Sequence, residues 1–216
     1  MKTIYIVRHG QSEANVGNFK FGDTNSPLTT IGRSQAMHIA QRCTNLPIDV
    51  IVASSMKRAQ ETAQTIAERV GKPVETSDLF RERRLPSSFE DGDMVLPRAR
   101  EDFFQWTDTL YKSGTRYEDG ENFEEIRTRA TQALEYLEKR REENILVVAH
   151  GFFLRALLAC VMYGPDVSDE EFRRIALRLK TENTGVSVFN YGEQVYDNLK
   201  FTGWALRVWN DHAHLG

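Results

Sequence analysis

Two histidines in this sequence follow apolar, strand-like runs, and each is followed directly by a glycine. They are His9, which comes after Arg8, and His150, near the start of the last third of the chain. In an open α/β sheet, ligands bind at the carboxyl ends of the parallel strands. A neutral imidazole can act as a nucleophile, and a neighbouring guanidinium offers a planar fork of N–H donors to an anion. The pattern at the end of the first run therefore predicts an anion site with a nucleophile built into it.

A third candidate, Arg58, lies in the first turn of a helix that we expect to be capped by Ser54 or Ser55. The helix dipole disfavours a cation there by a few tenths to about 1 kcal/mol, and the same holds for Lys57. A bound dianion makes a cation at this position favourable instead, because helix N-termini and arginine both attract phosphate. We therefore assign Arg58 to the anion site and expect Lys57 to face solvent.

Phosphoryl transfer is the chemistry that uses these residue types together. The negative oxygens of the group must be neutralised and held in line, while an acid protonates the departing oxygen. Glu82 is the candidate acid, because partial burial at the base of an irregular segment would raise its pKa. Arg83 and Arg84 follow it and could hold further negative charge on a substrate. The alternative is that both pair with nearby acidic residues, namely Glu90, Asp91 and Asp93.

The elements that would position these groups alternate between strands and helices. Apolar, β-branched runs predict strands at 4–7, 49–53, 73–76 and 145–149. Apolar residues at helical spacing predict helices over about 28–43, 54–70, 121–142, 152–163 and 168–180. The strand–helix–strand order implies parallel pairing with right-handed crossovers.

Three details of these elements are specific enough to test. Ile31 is expected on the buried stripe of the first helix, at helical spacing from the apolar residues that follow. Arg155 is a lone charge in an apolar helix, and we expect it to have an ion-pair partner. The last strands, 184–191 and 195–201, are predicted to form a hairpin across the Gly-Glu pair at 192–193.

One segment, at about 83–120, breaks the alternation of strands and helices. Its aromatic residues predict a helix over 96–111, and we interpret the segment as a cap inserted over the strand ends. The chain 1–216 otherwise has the size of a single domain with an insertion.

Composition and charge restrict the partners and the compartment. The formal net charge is −3 at pH 7, so global electrostatics do not favour nucleic acid, and no apolar run is long enough to cross a membrane. A strand begins right after the first three residues, which leaves no signal-peptide core, so a cytoplasmic location is expected. Cys43 and Cys160 lack CxxC spacing and are expected to be buried thiols. No Walker loop or metal-ligand spacing is present, and we assign neither a cofactor nor a metal, including at His212 and His214.

Five short motifs, in order along most of the chain, form a highly specific set. They are Val-Arg8-His9-Gly10-Gln11-Ser12-Glu-Ala-Asn15, Leu28-Thr29-x-x-Gly32, Ser54-Ser55-x-x-Arg58-Ala59-x-x-Thr62-Ala63, Leu79-x-x-Glu82 and Ala149-His150-Gly151. The set resembles the histidine phosphatase superfamily, in the branch that includes the cofactor-dependent phosphoglycerate mutases. The resemblance implies an α/β fold of three layers, with a mostly parallel sheet flanked by helices, a small helical cap and no metal.

The resemblance also assigns roles to individual residues. It implies that His9 becomes phosphorylated and that Glu82 is the proton donor. The residues that it places around the phosphate or substrate are Arg8, Asn15, Arg58, His150 and Gly151.

Two departures from the family pattern concern the substrate rather than the chemistry. Residues 19–23 are a poor match to the Trp-containing loop of phosphoglycerate mutases, and 83–89 replace a Gly-x-Trp-Glu-Gly-like run of many family phosphatases. We therefore favour a metal-independent phosphomonoesterase, a histidine acid-type phosphatase, that acts through a phosphohistidine on His9. Mutase-type phosphoryl transfer and a non-catalytic phospho-ligand sensor are the alternatives. The expected partner is a small phosphorylated molecule, not nucleic acid or a membrane, and assembly as a homodimer is left open.

Overall fold

The computed structural model of the protein describes residues 1–16, 25–89 and 97–216, with the backbone alone at 97–100. In this part of the chain six strands form one sheet, in the order β3-β2-β4-β1-β5-β6. The strands are β1 (Lys2–Arg8), β2 (Val50–Ala53), β3 (Val74–Thr76), β4 (Asn144–Ala149), β5 (Val186–Tyr196) and β6 (Leu199–Asp211). β1 to β4 pair in parallel, whereas β5 and β6 add an antiparallel edge. The expected mostly parallel sheet is confirmed.

Helices cover both faces of this sheet. They are α1 (Glu13–Val16), α2 (Thr30–Cys43), α3 (Lys57–Val70), α4 (Pro97–Thr109), α5 (Phe123–Lys139), α6 (Gly151–Tyr163) and α7 (Asp169–Arg178), with short 3-10 turns at Asp78–Phe80, Ser87–Phe89 and Ala213–Leu215. Because alternate residues of a strand point to opposite faces, Ile4 and Ile6 pack in the cluster with α5, α6 and α7, whereas Val7 packs with α2 and α3. The three-layer α/β architecture is therefore confirmed.

The parallel register brings three strand ends to one edge of the sheet. Arg8 lies beside Ala149, and Ala53 lies beside Val148. The residues that follow β1, β2 and β4 therefore lie close together at this edge. This edge is where the sequence predicts the anion site.

Gly10 is required at this edge by close packing rather than by an unusual backbone angle. A Cβ on Gly10 would lie 2.5 Å from the carbonyl oxygen of Gly32, and a Cβ on Gly32 would lie 1.9 Å from that of Gln11. The turn after β1 is thus pressed against the first turn of α2. Thr29 caps that helix by accepting a hydrogen bond from the Gly32 amide at 3.0 Å.

Residues within 83–120 contribute to the main core. The helix predicted over 96–111 is present as α4, and Phe89, Trp106 and Leu110 are buried in the cluster that also contains α5 and α6. The interpretation of the whole segment as a cap stays a prediction.

Four expectations about local structure are wrong. Ile31 is 58% exposed, because it lies at the first turn of α2 on the side away from the sheet. Ser54 and Ser55 do not cap α3, whose N-cap is Met56 and has no side-chain hydrogen bond. Glu121 precedes α5 rather than starting it, since the Asn122 side chain forms a capping box there.

The fourth concerns the turn of the last hairpin, which lies at 197–198 rather than 192–193. Asp197 has a φ of +52°, a left-handed conformation that Asp and Asn tolerate better than most residues. Gly192 instead lies within β5, opposite Gly203. Both strands are consequently longer than expected.

Two further observations concern the burial of the cysteines and the length of the helices. Cys43 and Cys160 are both buried and unpaired, as expected. No helix within the described ranges is long and apolar enough to cross a membrane.

Candidate active site

A cavity of about 420 Å³ lies at the edge where β1, β2 and β4 end. This volume is within the range of small-molecule sites. Its walls include all the predicted site residues except His150, namely Arg8, His9, Asn15, Arg58, Glu82 and Gly151. We call the group Arg8, His9, Arg58 and His150 the histidine end of the cavity.

His9 is buried, with 3% of its surface exposed, and its ring orientation follows from its hydrogen bonds. Nδ1 lies 2.7 Å from the Gly10 carbonyl oxygen, which can only accept, so Nδ1 carries the proton. Nε2 therefore keeps its lone pair and accepts a hydrogen bond from Arg58 Nε at 3.1 Å. Burial, together with the nearby His150, Arg58 and Arg8, lowers the pKa of His9 well below its usual value. The imidazole is neutral at pH 7.

His150 lies directly beside His9 but behind the cavity wall. Its side chain is fully buried, and the two ring centroids are 4.9 Å apart. Nε2 lies 2.8 Å from Ser54 Oγ, so Ser54 contacts the histidine end rather than capping α3. Nδ1 has no hydrogen-bond partner among the described residues. Burial and the positive charge of Arg58 lower the pKa of His150 well below its usual value.

Arg58 and Arg8 enter the cavity from different elements. Arg58 is 4% exposed and extends from the first turn of α3. Arg8 ends β1, and its guanidinium donates to the Thr181 carbonyl oxygen, while its buried Nε has no partner in the described part of the chain. Gly151 packs closely beside it, since a Cβ there would lie 2.6 Å from Thr181 Oγ1 and 3.3 Å from Arg8 Nε, so both side chains would have to shift. The two guanidiniums thus converge near His9.

Asn15 borders the cavity mouth, and its carbonyl oxygen is already used. Asn15 Oδ1 accepts hydrogen bonds from the Ser12 amide and hydroxyl at 3.1 and 3.2 Å. Nearby, Asn183 donates to the His9 carbonyl oxygen at 2.9 Å. Asn183 supports the loop that carries His9, and no motif in the sequence pointed to it.

Glu82 lies on the opposite side of the cavity, at the N-terminus of α6. Its oxygens accept from the backbone amides of Phe152 at 3.2 Å, Phe153 at 3.1 Å and Arg83 at 3.1 Å. Burial raises the pKa of Glu82, but the Arg83 charge and these amides outweigh it, so the pKa is held below its usual value. The expectation that burial raises the pKa of Glu82 is therefore wrong.

Beyond Glu82, the cavity is bordered by three cations that we call the far wall: Arg83, Arg155 and Lys180. The Arg83 guanidinium lies 4.6 Å from the centre of the Phe152 ring, and that of Arg155 lies 5.4 Å from the same centre. Stacking on aromatic rings holds both groups without neutralising them.

Arg155 does not have the expected ion-pair partner within the described ranges. Its side chain donates instead to the carbonyl oxygens of Gly151, at 3.1 Å, and Ala176. Arg155 therefore brings a full charge to the far wall. Its position four residues after Gly151, on the same helix face, is the signal that could have found it.

Arg84 has a different role from Arg83. It is exposed and donates to the Asp119 carbonyl oxygen at 2.9 Å and to Glu125 at 3.5 Å. Of the two arginines, only Arg83 borders the cavity. The suggested acidic partners Glu90, Asp91 and Asp93 lie outside the described residues.

The tail histidines are engaged in contacts within the protein. His214 Nε2 lies 3.1 Å from Thr184 Oγ1, and Arg42 donates to Nδ1 at 3.3 Å. Burial, and then the Arg42 charge, lower the pKa of His214 to about 4. Among the described residues there is no group of three or more His, Cys, Asp or Glu side chains arranged to hold a metal.

Fold and cavity together define a three-layer α/β protein with a cationic, histidine-containing site at its parallel strand ends. The family model described as histidine phosphatase superfamily (branch 1) matches residues 4–211, and the chain belongs to this superfamily.

Individual relatives carry both mutase and phosphatase names. The chain is 31% identical over 225 residues to a probable phosphoglycerate mutase GpmB of Enterobacter sp. (strain 638), covering all of this chain and 95% of the relative. It is similar in structure to Bacillus stearothermophilus YhfR, with 26% identity, a TM-score of 0.77 and full coverage of both chains. A mycobacterial glucosyl-3-phosphoglycerate phosphatase shares 22% identity and a TM-score of 0.75, over 98% of this chain and all of that one.

Proposed function

We propose that the protein is a metal-independent phosphomonoesterase that acts through a phosphohistidine on His9. The observation that supports this most is the state of His9. A buried, neutral imidazole has its Nε2 unprotonated and hydrogen-bonded from Arg58, and Arg8 borders the same cavity as a second guanidinium. That is the arrangement that nucleophilic attack on a phosphate monoester needs, because the attacking atom is unprotonated while the anionic oxygens are neutralised.

In the first step, His9 Nε2 bonds to phosphorus and the ester P–O bond breaks. Arg8 and Arg58 hold the phosphoryl oxygens, and His150, whose ring lies beside that of His9, is a further donor through Nδ1 in its neutral Nδ1–H tautomer. Glu82 gives its proton to the departing alcohol oxygen. The pKa of Glu82 is lowered in this structure, and the negative charge of a substrate dianion acts in the opposite direction, which favours the protonated carboxyl group that the first step needs.

In the second step, water replaces the alcohol. The Glu82 carboxylate accepts a proton from the water, whose oxygen bonds to phosphorus while the bond to Nε2 breaks. Inorganic phosphate leaves, and His9 returns to its neutral form. Glu82 thus acts first as acid and then as base.

The three cations of the far wall are the reason to propose a substrate that carries a second negative group. Five cationic and two anionic side chains border the cavity within the described residues. A phosphate dianion bound at the histidine end leaves one of these positive charges unbalanced, and Arg155, which has no ion-pair partner among the described residues, can meet a second anion. We propose that the leaving alcohol bears a carboxylate or similar anion, and that the segment 83–120, which contributes Arg83, acts as a cap over it.

The test combines turnover with trapping of the intermediate. Hydrolysis of 4-nitrophenyl phosphate is measured in excess chelator, and acid-labile phosphate on the protein is measured after rapid quenching. We expect His9→Ala to abolish both, with a loss of at least about 10³-fold in rate, while the exposed His38→Ala, as control, keeps both. Full activity of His9→Ala, or turnover that vanishes with chelator, would contradict the proposal.

Mutase-type transfer is the second candidate, because the curated relative reported above is named a probable phosphoglycerate mutase. In that case the phosphoryl group on His9 would return to another hydroxyl instead of to water. Measuring isomerisation of a phosphoglycerate with its bisphosphate primer, beside phosphate release, separates the two activities. Isomerisation much faster than phosphate release would replace the phosphatase assignment but leave the phosphohistidine.

A further inference from the structure

An ion pair outside the cavity holds the chain segment that carries Glu82. Arg129 of α5 donates to Glu121 at 2.9 and 2.8 Å, through Nε and Nη2. Its Nη1 donates to the carbonyl oxygens of Leu79, at 3.2 Å, and Arg81, at 2.6 Å. One guanidinium thus binds a carboxylate and two backbone positions just before Glu82.

Glu121 completes this attachment on the other side of Glu82. Its Oε2 accepts from the Arg84 amide at 3.0 Å, and its own amide donates to the Arg84 carbonyl oxygen at 2.9 Å. The backbone is therefore held at residues 79, 81 and 84, which flank the proposed acid. The two side chains are 18% and 6% exposed, and neither borders the cavity.

Phe153 links this ion pair to the carboxylate itself. The Arg129 guanidinium stacks 4.3 Å from the centre of the Phe153 ring, and the Phe153 amide donates to Glu82 Oε1 at 3.1 Å. The backbone and the carboxyl group of Glu82 are consequently fixed by one connected set of contacts. Arginine suits this position because its planar fork supplies several donors at fixed angles, which a lysine cannot do.

We propose that Arg129 and Glu121 are positioning residues for Glu82, setting where its proton is delivered. This inference rests on the proposed function. A proton donor must lie within hydrogen-bond distance of the departing oxygen, and a misplacement of about 1 Å can cost on the order of 10²-fold in rate. Loosening the segment 79–84 should therefore slow the hydrolysis of those esters whose leaving group needs protonation.

The test compares two esters that differ chiefly in the basicity of the leaving oxygen. Phenyl phosphate releases a more basic oxygen than 4-nitrophenyl phosphate and depends more on the acid. We expect Arg129→Lys to lower kcat/KM for phenyl phosphate about tenfold more than for 4-nitrophenyl phosphate, as a partial loss of general acid catalysis. Glu82→Gln should show the same selectivity to a larger degree.

Arg127→Lys is the matched control. Arg127 lies on the same helix, stacks on Phe123 at 5.5 Å and donates to the Val167 carbonyl oxygen at 3.3 Å, away from the cavity. We expect it to affect both esters equally. In a Glu82→Gln background, Arg129→Lys should cause no further selective loss, because it acts through Glu82.

Equal losses on both esters, or a selective loss that persists in the Glu82→Gln background, would overturn the inference. Because removing one charge of a buried ion pair can prevent folding, Glu121→Asp provides a second variant that keeps the charge. Its shorter side chain weakens the attachment to Arg129 and Arg84, and a selective loss in the same direction is expected. Failure of the proposed function is separate, since wild-type protein would then neither hydrolyse phosphate esters nor form phosphohistidine.

Discussion

The histidine end and the far wall line one cavity but are built in different ways. His9, Arg58 and His150 are at most 4% exposed, and backbone or side-chain hydrogen bonds fix each of them. At the far wall, Arg83 and Arg155 are half-buried and Lys180 is exposed. The guanidiniums of Arg83 and Arg155 lie against the Phe152 ring, and Arg155 also donates to backbone carbonyl oxygens, whereas Lys180 lies at the cavity rim.

We infer from this difference that the histidine end carries out the reaction and that the far wall selects the leaving group. Groups that stabilise a transition state must be held in position before substrate arrives, and burial in a rigid sheet edge provides that. Groups that choose among leaving groups can be more exposed and can change without disturbing the sheet. Variants at the histidine end should therefore affect every phosphate ester, and variants at the far wall only some of them.

The largest effect is expected at Arg58. Arg58→Met removes a donor to the transferring group, and losing one such donor costs about 10² to 10³ in rate. We expect this loss in kcat/KM for every ester tested, including 4-nitrophenyl phosphate. Lys57→Met, at the exposed neighbouring position of the same helix turn, is the control and should retain activity. A loss confined to anionic leaving groups would place Arg58 with the far wall instead.

A smaller and selective effect is expected at Arg155. Phosphoserine and phosphoethanolamine both release an amino alcohol, but only the first carries a carboxylate. Arg155→Met should lower kcat/KM for phosphoserine about tenfold, the value of one charged hydrogen bond of about 1.4 kcal/mol, and change that for phosphoethanolamine little. Arg178→Met, an exposed site at the end of α7, is the control. Equal losses on both esters would remove the distinction between the two regions.

The histidine end was predictable from the sequence because most of its residues come directly after a strand. Arg8, His9 and His150 directly follow apolar runs, and parallel pairing alone brings such positions together. Arg58 was found from a cation in an unfavourable position at a helix start. Each of these signals is local, so no knowledge of long-range packing was needed.

The far wall was only partly predictable: Arg83 was a candidate and Arg155 has a signal in its helical spacing from Gly151, whereas Lys180 is brought there by packing between distant segments. Lys180 reaches the cavity only because the chain after α7 passes beside Arg8, as the Arg8–Thr181 hydrogen bond records. The expected direction of the Glu82 pKa was wrong for two reasons. The charge of Arg83, the next residue, lowers this pKa, and so do amides of α6, about seventy positions later in the chain.

The last difference between the two regions concerns the pH dependence of stability. His9 and His150 have folded-state pKa values well below 6.5, whereas both take up protons near pH 6.5 in the unfolded chain. The unfolded state therefore binds more protons as pH falls below about 6.5, and the free energy of unfolding falls with it, by up to about 1.4 kcal/mol per pH unit for each histidine. Urea unfolding between pH 7 and pH 5 measures this slope.

Substitutions in the two regions should change that slope differently. The charge of Arg58 contributes to lowering the pKa of both histidines, so Arg58→Met should make the loss of stability with acid shallower. Arg155→Met is expected to leave the slope unchanged, whatever it does to the stability at pH 7. His214→Gln removes one further contribution, since the pKa of His214 is lowered to about 4. If Arg155→Met flattened the slope as much as Arg58→Met, the far wall would be electrostatically part of the histidine end.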